Sequence, residues 1–546
     1  MPYDRFVLDR LPPSEQWPLW LDNLPPPVAG QPVNAIHALW DRAEQAGWLD
    51  RPLLRSDQEV LTYAQTRERV NRLARVLSRT LHVQPGQRVL LRGPNSIALA
   101  VAWLAVVQAG LVSVCTMPLL RAKELGDIID KSQPVIALCD ARLLEELQLA
   151  QGNHAALQRI LTWGAPGGPD SLEGLLEGVP AQTDEAARQL VDAADMPDDP
   201  VALLAFTSGT TGSPKAAVHT HRDLLAACEA WPRHVLQARP DDIVMGSPPL
   251  AFTFGLGGLL LFPLWAGASV YYPDGAYTPA RMVELMAQVG CTLCYTAPTF
   301  YRQMAPLIQQ HPVPSLRISV SAGEALPDAT RQLWKQATGI EMLDGIGATE
   351  MFHIFISAAG ADVRPGAIGK VVPGYHARVV DAQGQELPRG TVGRLAVIGP
   401  TGCRYLNDPR QTAYVRDGWN YPGDTFMQDE AGYFYYQARD DDMIITAGYN
   451  VGGPEVEDAL LQHPAVAECG VVAKPDAERG MIVKAYCVLR TGHAASPELV
   501  KQLQDHVKSH LAPYKYPREI EFMAQLPRTE TGKLQRFRLR QMAQQG

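Results

Sequence analysis

Short apolar runs alternate with amphipathic stretches along most of the chain. Val70, Leu73, Ala74 and Leu77 recur on one face at helical spacing, which predicts a helix opening at Leu61-Thr62-Tyr63. Pro85-Gly86 is a turn, Arg88-Val89-Leu90-Leu91 reads as a strand, and Pro94-Asn95-Ser96 caps an Ala-rich helix that ends at Gln108. A strand over 111–115, a helix near 123–131 and a strand over 134–139 follow. The segment 152–200, rich in Gly, Asp, Glu and Ala, reads as an irregular connection. Alternation then resumes. The run Val201-Ala202-Leu203-Leu204-Ala205-Phe206 is a buried strand, and helices are expected over 224–231 and 279–289. Strands are expected over 242–245, 269–272, 292–295 and 317–320, with a Gly-rich apolar stretch over 248–267. Strand and helix in turn are the pattern of an α/β domain with parallel sheets.

Past Gly366 the texture changes to short strands and turns, at 378–381, 394–398 and 433–436, which predicts a small β-rich subdomain. A last boundary falls near Asp440. Beyond it a helix over 455–461, strands over 467–472 and 483–489 and a helix over 497–510 fit a separate small α+β domain. The expected fold class is therefore α/β: a large N-terminal domain, 1–440, of two parallel-type sheet subdomains plus the β-rich one, and a small mobile C-terminal domain, 441–546. Residues 1 to about 30, rich in Pro and Trp without a period, are expected to wrap the surface.

A length of 546 residues is too great for one core, which agrees with this division. The net charge of -9 argues against a nucleic-acid partner, so any anionic ligand must be held by local cations, metal or backbone N–H groups. The stretch 96–120 is long enough to span a bilayer, but Gln108, Gly110 and Ser113 interrupt it. A buried helix, a stop at Gly110 and a buried strand are expected instead, without membrane insertion. Met1-Pro2-Tyr3-Asp4-Arg5-Phe6 lacks the layout of a signal peptide. Of eight cysteines only Cys291 and Cys294 form C-x-x-C, with no matching pair nearby, so buried free thiols in a reducing, cytoplasmic setting are expected.

Candidate chemistry gathers in five stretches. Thr207-Ser208-Gly209-Thr210-Thr211-Gly212-Ser213-Pro214-Lys215 leaves a buried strand; such a loop brings hydroxyls and bare N–H groups onto a phosphate, although on its own it also reads as a plain surface turn. It is not a Walker loop, because Pro214 separates the glycines from Lys215. The others are Ser321-Ala322-Gly323-Glu324, Asp344-Gly345-Ile346-Gly347-Ala348-Thr349-Glu350, Tyr421-Pro422-Gly423-Asp424, and Arg439-Asp440-Asp441-Asp442 together with Pro527-Arg528-Thr529-Glu530-Thr531-Gly532-Lys533.

In this order and spacing the set resembles the superfamily of acyl- and aryl-CoA ligases, luciferases and peptide-synthetase adenylation domains, over roughly 34–541. The resemblance implies activation of a carboxylate by attack on the α-phosphate of ATP, then displacement of AMP by a thiol. It implies that Thr207, Ser208, Gly209, Thr210, Thr211 and Lys215 hold the β- and γ-phosphates and that Glu350 holds Mg2+, with Thr349 at the α-phosphate. Gly323, Glu324, Ala325, Asp344, Gly345, Ile346 and Gly347 would line the adenine slot, and Asp424 and Arg439 would take the ribose hydroxyls. Lys533 matches the adenylation lysine and Asp441 the hinge; rotation there would present Gly448 and Tyr449 to CoA. Ala438, where the family usually has Gly, and Tyr421-Pro422-Gly423-Asp424 are departures that affect loop detail.

The acid pocket is expected between 248–258 and 344–355, from Phe252, Thr253, Phe254, Gly255, Ala322, Gly323, Gly345, Ile346 and His353. Aromatic walls over glycine suit a flat ring. The run Asp344 to Phe355 is similar to benzoate-type ligases, and Pro-Pro-Leu-Ala-Phe-Thr-Phe-Gly to 2-aminobenzoate ligases, with Thr253 placed to bond an ortho amino group. His353 either faces the substrate or is a satisfied core histidine. The implied activity is an ATP- and Mg2+-dependent aryl-CoA ligase, a monomer or homodimer, acting on 2-aminobenzoate first and benzoate next. The alternatives are an enzyme loading a separate carrier protein, since no carrier domain follows Gly546, a CoA ligase for another small acid, and a non-catalytic nucleotide-binding protein.

Overall fold

The protein is described from a computed structural model, which covers residues 2–25, 30–165, 167–180, 196–207, 214–275, 277–439, 442–446, 449–476, 480–512, 514–529 and 533–545. Two α/β sheets form its centre. The first has six strands in the order Arg159–Trp163, Ile136–Asp140, Arg88–Arg92, Val112–Thr116, Val201–Thr207 and Lys215–Thr220. All its pairs are parallel except the last, which is a hairpin. The second has nine strands. Its parallel centre runs Leu343–Gly347, Ile318–Ser321, Leu293–Thr296, Ile243–Gly246, Ser269–Tyr272 and Pro52–Ser56, with antiparallel strands at both edges.

The helix of the stretch 96–120 packs between them, and its strand is part of the first sheet. Ser96 caps the helix Ile97–Gln108 by accepting from the Leu99 N–H, and that helix is apolar and buried almost all round. Helices of this kind belong to the inside of a large core. The next strand, Val112–Thr116, is also buried throughout. No helix among the described residues is long and apolar enough to cross a membrane. All eight cysteines are buried free thiols.

Other expectations move by a residue or two. The helix at Tyr63–Arg75 starts after Thr62, which closes a capping box with Gln65; Leu61 and Thr62 belong to a strand. The segment 152–200 is not wholly irregular: Arg159–Trp163 is the outer strand of the first sheet, and Leu172–Leu176 is a short helix. The Gly-rich stretch is helical from Thr253 to Ala266. Beyond 366 a six-stranded antiparallel sheet forms the β-rich part. Near the N-terminus Tyr3 and Val7 are buried, and Trp17 and Trp20 lie against the guanidinium of Arg404.

The C-terminal residues build a three-stranded sheet, Val466–Asp476, Gly480–Leu489 and Glu519–Phe522, covered by the helices Gly453–Leu461, Pro497–His510 and Arg536–Gln545. This unit touches the nine-stranded sheet's surroundings by a few polar contacts. The Ala329 N–H donates to Asp458 over 3.2 Å, and Arg302 donates to the Leu461 carbonyl over 3.4 Å.

Close backbone approach is needed at Gly255, where a Cβ would lie 2.1 Å from the Pro249 carbonyl oxygen. At Gly152 nothing comes nearer than 3.7 Å. Gly255→Ala is expected to lower the thermal midpoint, at a cost of about 1–3 kcal/mol, while Gly152→Ala leaves it within error; scanning calorimetry of both variants checks this.

Candidate active site

Adjacent parallel strands place two of the sequence motifs side by side. Val320 pairs with Leu343 and Ser321 with Asp344, so 322–325 and the turn after Gly347 leave the sheet at the same edge. Ligand sites of open α/β sheets collect at this end of the strands. From the other sheet, the hairpin Val201–Thr207 and Lys215–Thr220 sets Thr207 opposite Lys215. The Thr207 hydroxyl is buried and has no hydrogen-bond partner among the described residues.

The turn Thr349–Met351 is clamped residue by residue. His219 Nε2 donates to the Thr349 carbonyl over 2.8 Å, Thr401 Oγ1 donates to the Met351 carbonyl over 2.7 Å, and the Tyr405 hydroxyl donates to Glu350 Oε1 in a short contact. His219 is itself held: the Asp223 carboxylate lies 3.7 Å from Nδ1, and Arg404 donates to Asp223 over 2.7 Å. Burial opposes the charge on Asp223, yet Arg404 and His219 outweigh it and hold its pKa below the usual carboxylate range. Phe352 follows the turn at φ +67, an unusual conformation for a non-glycine, and its ring packs edge-on to His219 at 5.4 Å. Such a residue costs of order 1–3 kcal/mol and persists only where its surroundings over-determine it.

Lys215 and Glu350 meet here. Lys215 Nζ donates to the Tyr405 hydroxyl over 3.1 Å and lies 3.7 Å from Glu350 Oε1. Burial first, and the Glu350 charge second, push the Tyr405 hydroxyl far above the ordinary tyrosine value, so it stays a donor.

Lys533 reaches the same region from the C-terminal unit. Its Cε and Nζ come within 3.4 and 3.7 Å of where a Cβ on Gly323 would stand, and Gly323 has φ +91. Lys533 remains solvent-exposed. Desolvation around its ammonium, opposed by Glu324 and reinforced by Arg439, still lowers its pKa below the usual lysine value. Glu324 accepts from Thr299 over 3.0 Å and faces Arg528 at 3.5 Å, an ion pair between the two units. Ala325 is half-buried beside it. Asp424 and Arg439 pair across neighbouring strands, with Arg439 Nη1 donating to Asp424 Oδ1 over 3.2 Å.

On the acid side, Phe254 and His353 stack at 5.6 Å, with Phe262 at 4.6 Å and Trp231 at 5.2 Å from the same imidazole. Thr253, Gly255 and Ala322 are buried there, and Phe252 and Ile346 half-buried. Neither ring nitrogen of His353 has a partner within hydrogen-bond geometry among the described residues, the Phe254 backbone lies beside it, and burial, only partly offset by that backbone, pushes its pKa down to about 3. Asp344 is enclosed, accepts from the Gly345 N–H over 2.9 Å and lies 3.8 Å from Arg331. Burial, only partly offset by Arg331, raises its pKa to about 6.

Ser208, Gly209, Thr210, Thr211, Asp441 and Gly448 lie outside the described residues, and of Tyr449 only the backbone, in the strand Tyr449–Val451, is described. Several contributors, among them Arg528, His219, Tyr405, Trp231 and Phe262, were not among the expected site residues. Arg528 stands within the quoted Lys533 motif, so its charge was a usable signal. His219 follows the phosphate-type loop in the same strand. Tyr405 sits in Cys403-Arg404-Tyr405-Leu406, a stretch with neither period nor charge run, and nothing local marks it.

Two parallel sheets, a β-rich sheet and a small unit whose lysine overhangs their common edge define a two-domain, nucleotide-type enzyme architecture. The chain belongs to the AMP-binding enzyme family: residues 39–404 match that family and residues 455–533 match the AMP-binding enzyme C-terminal domain. It is 36% identical over 524 residues to the benzoate–CoA ligase of Thauera aromatica, covering 95% of this chain and 98% of that one. It is 32% identical over 521 residues to the 3-hydroxybenzoate–CoA ligase of Aromatoleum sp. (strain CIB), covering 94% and 98%. The fold superposes on the crystal structure of an anthranilate CoA ligase in complex with anthranoyl-AMP with a TM-score of 0.88 at 32% identity, over 96% of this chain and 99% of that one.

The Asp344 shift carries a pH prediction. The unfolded state, at the ordinary value near 3.9, releases the proton before the folded state does, so this residue's contribution falls as pH rises from about 4 to 6. Asp344→Asn is therefore expected to gain stability relative to the parent between pH 4 and pH 7, by roughly 2–3 kcal/mol; paired denaturant titrations at the two pH values measure it, and a pH-independent difference contradicts it.

Proposed function

We propose that the chain is an ATP-dependent aryl-CoA ligase of the AMP-forming type, with a large domain over 1–440 and a small mobile one over 441–546. The observation that carries this reading is the approach of Lys533 to Gly323 and Glu324, within the field of Arg439 and across a gap bridged by few contacts. Carboxylate and triphosphate are both anions, so their reaction needs cations at the point of approach. Lys533 stabilises the charge that develops as the carboxylate oxygen attacks the α-phosphorus and pyrophosphate leaves. Thr207 to Thr211 and Lys215 grip the leaving phosphates, and the buried Thr207 hydroxyl, without a hydrogen-bond partner among the described residues, can donate to them.

Glu350 fits a magnesium ligand: a single buried carboxylate, already oriented, suits an ion that takes its remaining oxygens from phosphates and water. Mg2+ bound there would neutralise the phosphates. Thr349 meets the α-phosphate. Residues 323–325 and 344–347 line the adenine slot, and Asp424 accepts from the ribose hydroxyls while Arg439 orients it. Rotation at Asp441 then withdraws Lys533 and brings Gly448 and Tyr449 toward the CoA thiol, whose attack on the acyl carbonyl releases AMP.

The acid is aromatic. Phe254, Phe262 and Trp231 around His353 form an apolar, ring-lined recess. Likeness to ligases for benzoate, 3-hydroxybenzoate and anthranilate supports 2-aminobenzoate as first substrate, with Thr253 at its amino group, and benzoate as next. Eight buried thiols fit a cytoplasmic enzyme of aromatic-acid degradation, a monomer or homodimer.

With ATP, Mg2+ and CoA, the enzyme is expected to release AMP at least tenfold more efficiently with 2-aminobenzoate or benzoate than with a medium-chain fatty acid; no AMP from any benzoate-like acid overturns the reading. Acceptance of free CoA at micromolar to millimolar KM decides against a carrier-loading role. Lys533→Ala is expected to slow adenylation about 100-fold or more while thioester formation from preformed aryl-AMP stays near the parent rate. Equal loss of both half-reactions removes Lys533 from the adenylation step.

A further inference from the structure

We propose that Tyr405 is a positioning residue that fixes the Glu350 carboxylate for metal and, through the same hydroxyl, holds Lys215 beside it. The inference rests on the assignment of Glu350 to Mg2+ above.

The backbone puts Tyr405 where it must be. The Val218 N–H donates to the Arg404 carbonyl over 2.8 Å, Ala217 bridges Tyr405 antiparallel, and the Leu406 N–H donates to the Ala216 carbonyl over 2.9 Å. The segment thus extends the first sheet by one short strand beyond Lys215–Thr220. Lys215 is two residues from Ala217, so its side chain leaves the sheet on the same face as Ala217 and its partner Tyr405. The ring is walled by Ala217, Cys403, Tyr414 and Val415, and Gln411 accepts the Tyr405 N–H over 2.9 Å. It has no freedom to follow a moving carboxylate.

One oxygen therefore does two things. As donor it binds Glu350 Oε1; as acceptor it takes Lys215 Nζ at 3.1 Å. Lys215 and Glu350, 3.7 Å apart, offset each other's charge through it. Incoming phosphates compete for Lys215 and draw it off. Glu350 does not follow, because the Tyr405 hydroxyl remains on Oε1. Glu350 would then offer Mg2+ a carboxylate that needs no reorganisation, and Lys215 would stand beside it for the phosphates. Groups that orient a metal-binding carboxylate are typically worth 10–100-fold in metal affinity or activity.

The test is Tyr405→Phe, which keeps the buried ring and deletes the hydroxyl, beside Glu350→Gln. Mn2+ affinity is read by electron paramagnetic resonance with a non-hydrolysable α,β-methylene ATP analogue, and the Mg2+ dependence of adenylation by pyrophosphate exchange. Tyr405→Phe is expected to weaken Mn2+ about 10-fold or more, and excess Mg2+ to recover most of the exchange rate. Glu350→Gln is expected to weaken Mn2+ further, without recovery. Parent-like Mn2+ affinity in Tyr405→Phe alone overturns the role of Tyr405. Parent-like affinity in both variants overturns the metal assignment of Glu350 itself.

Discussion

The site depends on a buried polar seam that holds one short turn. Thr349–Met351 belongs to the nine-stranded sheet, yet the groups that fix it come from elsewhere: His219 from the six-stranded sheet, Thr401 and Tyr405 from the segment that leads out of the β-rich sheet. Asp223 and Arg404 close the seam behind His219, and Trp17 and Trp20 of the N-terminal wrap cover Arg404. Buried polar groups are costly unless fully partnered, and a partnered network specifies a single arrangement. Here that arrangement fixes three sheets against one another, and it supports Phe352 in a backbone conformation that local sequence would not choose. Glu350 is thus oriented by the fold before any ligand arrives.

The C-terminal unit is attached by contrasting means. Its contacts with the large part include single hydrogen bonds and the Arg528–Glu324 pair, beside packing of the helix Gly453–Leu461 against the strand Phe434–Arg439. A rigid, buried turn and a loosely held lysine are what a two-step reaction requires. In the proposed mechanism the phosphate side is preorganised, while Lys533 leaves once the first bond has formed.

Much of this was legible from residue pattern. The helix Pro497–His510 was expected with its observed bounds, and the structure shows Ser496 capping it by accepting from the Leu499 N–H, with Pro497 in its first turn. The buried helix and strand over 97–116 followed from interruption of one apolar run by Gln108 and Gly110. The strand Arg159–Trp163 was missed because five residues between Gly-rich segments carry little periodicity; pairing with Ile136–Asp140 makes it a strand. The charged site residues were visible because motif order marks them. Tyr405 and His219 were not, since their roles arise from contacts that join sheets far apart in the chain. The aromatic box around His353 was anticipated through Phe254, but Trp231 and Phe262 enter it only through packing of helices.

The central claim is that Lys533, Glu350 and the aromatic recess together activate an aromatic carboxylate with ATP before CoA takes part. Exchange of labelled pyrophosphate into ATP without CoA tests it most directly. Exchange is expected to require both Mg2+ and 2-aminobenzoate or benzoate and to fall about 100-fold or more in Lys533→Ala. Exchange that is absent until CoA is added, or that proceeds without an aromatic acid, contradicts it.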